Sequence, residues 1–379
     1  MSAVALLPDG RIAVGGWASR PDNPNAGYVA LLAAGRLDRS APLPGYALAT
    51  KTDPAGRLVI TLYSRSGPAL RRLRPDLTTD PAFAAGRDIV MGPEVAMSGD
   101  PLVNGLAIQP DGKVLLAAML EPSLSEEELG RLALNANGAP DTSFGAGGRV
   151  TFPDAGPWHD TLAAIALQPD GKILLAGTQT AGNVTAFRVM RLTAAPAPDP
   201  SLGSGGAAVV PGPYPLPGRD LRRHRFPAAL TVAPDGTVLV AAYTTAATEN
   251  QTDLAVLHLR PDGTPDWSFG DRGLALTTPG RYNRAVSLNL VSGNKLLVTA
   301  AAKTDPTGPD FATLRLNLAD PSPITTSVRN GNLVITGTPG NDVTRLAQRD
   351  GRLFITGVAG SFTIAPGPAS RSTASRATT

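Results

Sequence analysis

Cysteine is absent from all 379 residues, which removes disulfides, thiolate metal centres and a cysteine nucleophile together. The compartment stays open, because a chain without thiols folds equally well in oxidising and reducing surroundings. Histidine is scarce: His159, His224 and His258 stand apart, with no second histidine or carboxylate at metal-ligand spacing. Charge is sparse as well, with 34 Lys and Arg against 31 Asp and Glu for a net charge of +3. That field is too weak to argue for nucleic acid. No apolar run reaches the roughly 20 residues that a helix needs to span a bilayer. Neither a Gly-x-Ser-x-Gly elbow nor a Ser-His-Asp order invites a hydrolase reading.

What the chain has in quantity is turn formers: 41 glycines and 36 prolines accompany 42% apolar residues. This composition suits a globular β protein with many tight reversals. The stretch "IALQPDGKILLAG" at 165–177 shows how they are used. Pro169 presets φ at the first central turn position, Asp170 bonds its own neighbouring backbone, and Gly171 accepts positive φ. The flanking runs, 162–168 and 172–178, are too short for self-supporting helices and read as the two strands of a β-hairpin. Both runs are almost continuously apolar, so both faces of their sheet are expected to be covered.

The hairpin recurs. Its glycine falls at Gly10, Gly56, Gly112, Gly171 and Gly236, with Asn294 in the same place in "VSGNKLLVTAA", giving a period near 57 residues. Asp9, Asp111, Asp170 and Asp235 precede four of these glycines, and Ala55 precedes Gly56. A second landmark, Asp-x-Ser-Phe-Gly or a worn form of it, follows at Asp38, Asp80, Asp141, Asp199 and Asp266. A third apolar segment lies between the landmarks, as in "AFRVMRL" at 186–192, and a fourth such as "GRVTF" comes after. Four short strands per repeat over six repeats, with no helical period, specify an all-β fold: a β-propeller of six four-stranded blades. The propeller is expected over 1–322.

These residues resemble a known family. Gln-Pro-Asp-Gly-Lys between apolar runs, an Arg-Leu strand and Asp-x-Ser-Phe-Gly-x-Gly-Gly are similar to the delta-60 repeat, found in tandem in bacterial proteins, many of them exported or surface-associated. The match is specific over 105–273 and worn at both ends, and in the last unit Asp320 arrives early relative to its strand. The resemblance implies a propeller and an extracellular or cell-surface address, and nothing catalytic. The stretch from Ser2 to Leu7 already belongs to the first hairpin, with no basic region or long apolar core before it. If the protein is exported, its signal is expected to lie outside this chain, through a truncated reading frame or because the chain is a fragment, and the blade count of the whole would then exceed six.

Beyond 322 the pattern changes. Asn330-Gly331 and Asp350-Gly351 separate short β-rich runs, so 323–365 reads as a small β unit of its own, or as a seventh blade. Residues 337–342, Gly-Thr-Pro-Gly-Asn-Asp, resemble the lead-in of haemolysin-type calcium-binding repeats, and Asn341 and Asp342 are the candidate Ca²⁺ ligands that this implies. Calcium needs six to eight oxygens, and one copy offers two or three. A Gly-rich hairpin is the plainer reading. The polar stretch 366–379 lacks core residues and is expected to be disordered.

Asp141, Asp199 and Asp266 could form a ring of carboxylates. Residues recurring at one phase of every blade are explained more simply as turn-capping aspartates. "GAGG" at 145–148 and "GSGG" at 203–206 have no following helix to complete a phosphate cradle. His258 lies where Arg191 lies one repeat earlier, which suggests a polar position at a strand edge. In "LRRLRPD" at 70–76, alternation puts Arg72 and Arg74 on one exposed face. "GRDLRRHRFP" at 218–227 lengthens one connection between blades, and its Arg219, Arg222, Arg223 and Arg225 are the candidate contacts to an acidic ligand such as a polyanionic glycan. "PSLSEEEL" at 122–129 carries Ser125 three residues before Glu128, a capping-box spacing that predicts one helical turn. The first functional reading is a non-catalytic propeller that binds a glycan or protein ligand through its loops. The alternatives are a glycan-active enzyme with a polar site at the channel mouth, and a purely structural segment.

Overall fold

The computed structural model describes residues 3–18, 26–34, 36–64, 66–91, 105–123, 126–152, 159–181, 184–195, 197–211, 226–245, 252–270, 273–277, 282–291, 295–305 and 308–318. Further along it describes the strand segments 325–329, 332–336, 342–349, 352–357, 360–364 and 375–377. The chain divides into two compact units, Met1–Val209 and Val210–Thr379.

The first unit holds four antiparallel meanders. Sheet 1 runs β1 (Ala3–Leu6), β2 (Ile12–Ala18), β3 (Ala26–Ala33) and β4 (Arg36–Leu43). Sheet 2 runs β5 (Gly45–Thr52), β6 (Leu58–Ser64), β7 (Gly67–Leu73) and β8 (Ile89–Val90). Sheet 3 runs β9 (Gly105–Ile108), β10 (Val114–Ser123), β11 (Glu126–Leu134) and β12 (Arg149–Phe152). Sheet 4 runs β13 (His159–Leu167), β14 (Ile173–Ala181), β15 (Val184–Leu192) and β16 (Ala207–Pro211), the unit boundary falling within β16. Here β1 lies alongside β5, β5 alongside β9, and β9 alongside β13. Four-stranded meanders stacked face to face by their first strands are propeller blades.

Packing follows the doubly apolar strands. Ile173, Leu174, Leu175 and Ala176 of β14 are each at most 1% exposed, so both faces of that strand are covered. Ala5, Leu7, Ala13, Val29 and Leu31 of sheet 1 pack against Ala47, Leu58, Ile60, Leu73 and Leu77 of sheet 2. The other face of sheet 2, with Val59, Leu70 and Phe83, meets Leu106, Val114 and Leu116 of sheet 3. Truncating one such leucine to alanine costs about 2–5 kcal/mol through lost transfer energy and the cavity left behind.

The second unit contains sheet 5, with β17 (Phe226–Val232), β18 (Val238–Thr245), β19 (Thr252–Leu259) and β20 (Leu274–Thr277). Sheet 6 begins with β21 (Tyr282–Val291), β22 (Lys295–Asp305) and β23 (Gly308–Asn317). Leu239, Val256 and Phe269 of sheet 5 pack on Leu296, Val298 and Leu314 of sheet 6, with β17 alongside β21. The hairpin of β24 (Thr325–Arg329) and β25 (Asn332–Thr336) forms a separate two-stranded sheet. The next strand, β26 (Asp342–Arg349), pairs with β23 and serves as the fourth strand of sheet 6. Three more strands extend it: β27 (Arg352–Gly357), β28 (Gly360–Ile364) and β29 (Ser375–Ala377). The stretch 323–365 is thus shared between a free hairpin and an extension of the sixth blade. Most of the expected polar tail lies outside the described residues, and β29 within it pairs with β28.

The fold is therefore an all-β propeller of six blades, and its helical content among the described residues is one 3₁₀ turn at Ala84–Gly86. Two local expectations are corrected. Of the capping-box segment 122–129, Leu124 and Ser125 lie outside the described residues, and the rest is strand where a helical turn was expected: Ser123 of β10 opposes Glu126 of β11. Strand pairing on both sides overrides the local cap. Arg72, expected on an exposed face, is 2% exposed, because a carboxylate eight residues later returns to pair with it.

Candidate functional site

The turn chemistry inferred from Pro-Asp-Gly is present at atomic detail. The backbone N–H groups of Arg11, Lys113, Lys172 and Thr237 donate to Oδ1 of Asp9, Asp111, Asp170 and Asp235 at 3.0, 3.1, 3.1 and 2.9 Å. Gly10, Gly112, Gly171 and Gly236 hold φ of +84°, +84°, +81° and +88°. In sheet 2, where Ala55 replaces the turn aspartate, Asp53 takes over from two residues earlier. Its Oδ1 accepts the N–H groups of Ala55 and Arg57 at 3.0 and 2.9 Å, and its Oδ2 accepts Arg57 Nε at 2.6 Å.

The residue after the hairpin glycine carries the two sequence landmarks to one place. Arg11 Nη1 lies 3.1 Å from Asp38 Oδ2, Arg57 Nη1 3.6 Å from Asp80, Lys113 Nζ 2.9 Å from Asp141 and Lys172 Nζ 3.1 Å from Asp199. In an antiparallel meander the first-to-second and third-to-fourth turns share one end of the sheet, so motifs 23 to 29 residues apart become neighbours.

The second-landmark aspartates are bound further. Asp80, Asp141, Asp199 and Asp266 each donate their backbone N–H to the carbonyl eight residues earlier, on Arg72, Ala133, Arg191 and His258. Ser143, Ser201 and Ser268 return both N–H and hydroxyl to Oδ1 of their aspartates, at 3.1 Å for each N–H and 2.6, 2.6 and 2.8 Å for the hydroxyls. The residue after each serine position, Phe83, Phe144, Leu202 or Phe269, is buried. Arg72 Nε reaches Asp80 Oδ2 at 2.7 Å, its guanidinium stacks on Phe83 at 4.6 Å, and its Nη1 donates to Ala136 O at 2.6 Å on the next sheet. Arg191 repeats the ion pair with Asp199 at 2.8 Å and adds a bond to Ser201.

Ionisation follows from these contacts. The Ser143 hydroxyl and then the Lys113 ammonium hold Asp141 below the ordinary carboxylate range. Asp199 lies well below it, through Ser201 first and against the upward push of burial, with Lys172 and Arg191 assisting. At Asp80 burial pushes upward most strongly, but the Ala82 N–H and Arg72 together outweigh it. A carboxylate ionised at neutral pH, with its oxygens taken by its own turn and by a cation, is a clamp and is poorly placed to accept a substrate proton.

His258 departs from the pattern. It occupies the Arg72 and Arg191 position but is 6% exposed inside the sheet, with Nδ1 3.2 Å from Asp266 Oδ2 and its ring 5.0 Å from Phe269. The expectation of a strand-edge position does not hold. Burial is the main influence and draws its pKa below 6.5, Arg260 acting in the same direction and Asp266 and Asp235 opposing. The unfolded chain then binds a proton that the folded chain refuses, so stability falls as pH drops through 6.5 towards the folded value. Thermal melts should show the wild type losing stability on that acidification more steeply than His258→Arg, which cannot titrate there. Parallel curves for the two proteins would refute this.

The other candidates are placed as follows. Arg219, Arg222, Arg223 and Arg225 lie outside the described residues, in the connection from Pro211 at the end of β16 to Phe226 at the start of β17. Asn341 is likewise outside them, and Asp342 opens β26. Among the described residues no group of three or more His, Cys, Asp or Glu is placed to hold a metal ion. No helix among them is long and apolar enough to cross a membrane. Sequence reasoning missed a third periodic turn, in which Asp76 and Asp262 accept the N–H and hydroxyl of Thr78 and Thr264. Its signal was available in Arg-Pro-Asp-x-Thr at 74–78 and 260–264.

Blades and clamps together define a β-propeller repeat protein. A family model described as "Domain of unknown function (DUF5122) beta-propeller" matches residues 168–202 and 233–269. Both segments run from a hairpin turn to the Asp-x-Ser landmark of the same blade. No curated protein matches the chain in sequence. Among solved structures, Drosophila Semaphorin 1b, extracellular domains 1-2, is similar at 11% identity and TM-score 0.45 over 96% of this chain and 84% of that one. The polysaccharide lyase Uly1 is similar at 10% and 0.44, over 98% and 88% of the two chains. The propeller domain of the Trilobed protease from Pyrococcus furiosus is similar at 8% and 0.42, over 95% and 91%. Likenesses at this level bear on neither activity nor ligand.

Proposed function

We propose that the chain is a non-catalytic β-propeller that binds a glycan or protein ligand through its loops, as part of an exported or cell-surface protein. The observation that carries this reading is the fate of the repeated carboxylates. Asp80, Asp141, Asp199 and Asp266 are used up in clamping the turns of their own blades. At the ends that bear those clamps the first-to-second connection is five residues long in each of sheets 1 to 5, with Asp-Gly in four of them and Ala-Gly in sheet 2. Variation is concentrated at the opposite ends, where the connections run from Val90 to Gly105, from Phe152 to His159 and from Pro211 to Phe226. Unequal loops on a repeated scaffold are how binding specificity is normally displayed.

The arginines of the last connection supply the chemistry. Four guanidiniums within seven residues suit sulfated or carboxylated sugars, which they engage by charge-assisted, often bidentate, hydrogen bonds. Reversing all four to glutamate should abolish retention on an anionic polysaccharide column while leaving the melting curve intact. Unchanged retention would remove this loop from the proposal. A glycan array read with and without Ca²⁺ separates a direct contact from one bridged by calcium at Asn341 and Asp342.

A further inference from the structure

We infer that Asn137–Gly138 is a site of spontaneous covalent modification, in which the asparagine deamidates through a succinimide to the aspartate that sister blades encode. Asn137 occupies the third periodic turn. Its Oδ1 accepts the N–H of Ala139 at 3.0 Å, as Asp76 accepts Thr78 and Asp262 accepts Thr264, each at 2.9 Å. The next residue is left-handed in all three turns, with φ of +70° at Leu77, +88° at Gly138 and +87° at Gly263. Asn137 is thus the amide counterpart of two carboxylates in the same backbone setting.

Three features of this turn favour the reaction. Oδ1 accepts the N–H two residues on, which draws electron density from Cγ, the carbon to be attacked. Gly138 has no side chain to obstruct approach of its nitrogen. Asn137 is exposed, so water and hydroxide reach it. One feature slows it: the Gly138 N–H donates to Asn135 O at 2.8 Å and must be deprotonated before it attacks. The chemistry is therefore hydroxide-dependent and slower than in an unfolded chain.

The steps balance. The Gly138 nitrogen, having lost its proton to hydroxide, bonds to Cγ of Asn137; Nδ2 takes a proton from water, the Cγ–Nδ2 bond breaks and ammonia departs, leaving the cyclic imide and regenerating hydroxide. Water then opens the ring. Cleavage at Cγ restores the main chain and leaves aspartate; cleavage at the main-chain carbonyl leaves isoaspartate, with an extra methylene in the backbone. The turn can tell these apart. The Asn137 carbonyl accepts the Ala84 N–H at 2.8 Å and the Ala136 carbonyl accepts Arg72 Nη1 at 2.6 Å, so the turn of sheet 3 is pinned to sheet 2. Aspartate keeps both bonds and the side-chain turn, whereas isoaspartate displaces the carbonyl that Ala84 requires.

The test incubates the full chain at mildly alkaline pH, native and in urea, followed by digestion and mass spectrometry of the peptide spanning 137–138. The native peptide should gain one mass unit, more slowly than in urea and faster as pH rises, and Asn137→Ser should abolish the gain. A native peptide that keeps its mass while the urea sample converts would overturn the inference. Asn137→Asp should unfold at the same denaturant concentration as the wild type. A clear loss of stability in that variant would overturn the claim that the turn accepts the product.

Discussion

Replacing Asp199 by alanine should destabilise the protein by about 3–5 kcal/mol, because it strands a buried cation. Arg191 is 5% exposed, and its Nε sits 2.8 Å from the carboxylate that would be lost. The same change one blade earlier, Asp141→Ala, should cost only about 1–3 kcal/mol. There the position opposite the aspartate is Ala133, and the cation is Lys113, whose side chain is 31% exposed and turns readily to water. Denaturant titration of the two variants at neutral pH reads the difference directly. A double replacement, Arg191→Met with Asp199→Leu, should restore much of the loss, since an apolar pair of similar volume needs no counter-charge. Equal midpoints for Asp199→Ala and Asp141→Ala would mean that the ion pair is not what holds the blade.

The same clamp sets the acid limit. Asp199 is held well below its ordinary value of 3.8, so its contribution to stability is complete above that value and is lost as pH falls below it. His258 acts in a different window, losing stability as pH drops through 6.5. Two steps are therefore expected on acidification, and they belong to different blades.

How much of this could be read from the chain depends on whether the cause was local. The Asp-Gly hairpins were readable because Asp170 and Gly171 satisfy their own turn within four residues, and every repeat restates the solution. The serine of Asp-x-Ser was readable for the same reason. Arg72 was misread because its partner, Asp80, lies beyond a turn, and alternation along a strand says which face a residue takes without saying what returns to cover it. Asp53 standing in for Ala55 needed the turn geometry itself. The fourth strand of sheet 6 is the furthest from local legibility: β26 reaches β23 across the β24–β25 hairpin, and open edges pair with whatever chain is near. The candidate ligand loop stays a matter of composition, because four arginines announce their charge but not their arrangement.

The Gly-Ser-Gly-Gly turn of sheet 4 gives a sharper contrast within four residues. Gly203→Ala should prevent folding or remove more than about 4–5 kcal/mol, the range reserved for backbone-level damage. Gly205→Ala should cost only about 1–2 kcal/mol, that of forcing an alanine into the left-handed region. Both glycines hold that conformation, with φ of +55° and +62°. The space around them differs. A Cβ on Gly203 would stand 2.1 Å from the Ala207 carbonyl oxygen and 2.7 Å from its carbon, while one on Gly205 meets nothing within 4 Å. The obstacle is backbone already committed to the turn, since Ala207 O accepts the Ser204 N–H at 2.8 Å and cannot withdraw without releasing it. In sheet 3, Gly145 faces Arg149 O at 2.0 Å and Gly147 faces open space, so the same pair of outcomes should recur there. Soluble yield and denaturation midpoint measure all four variants. Similar losses at Gly203 and Gly205 would show that the left-handed conformation alone is the constraint and that the close backbone approach is not.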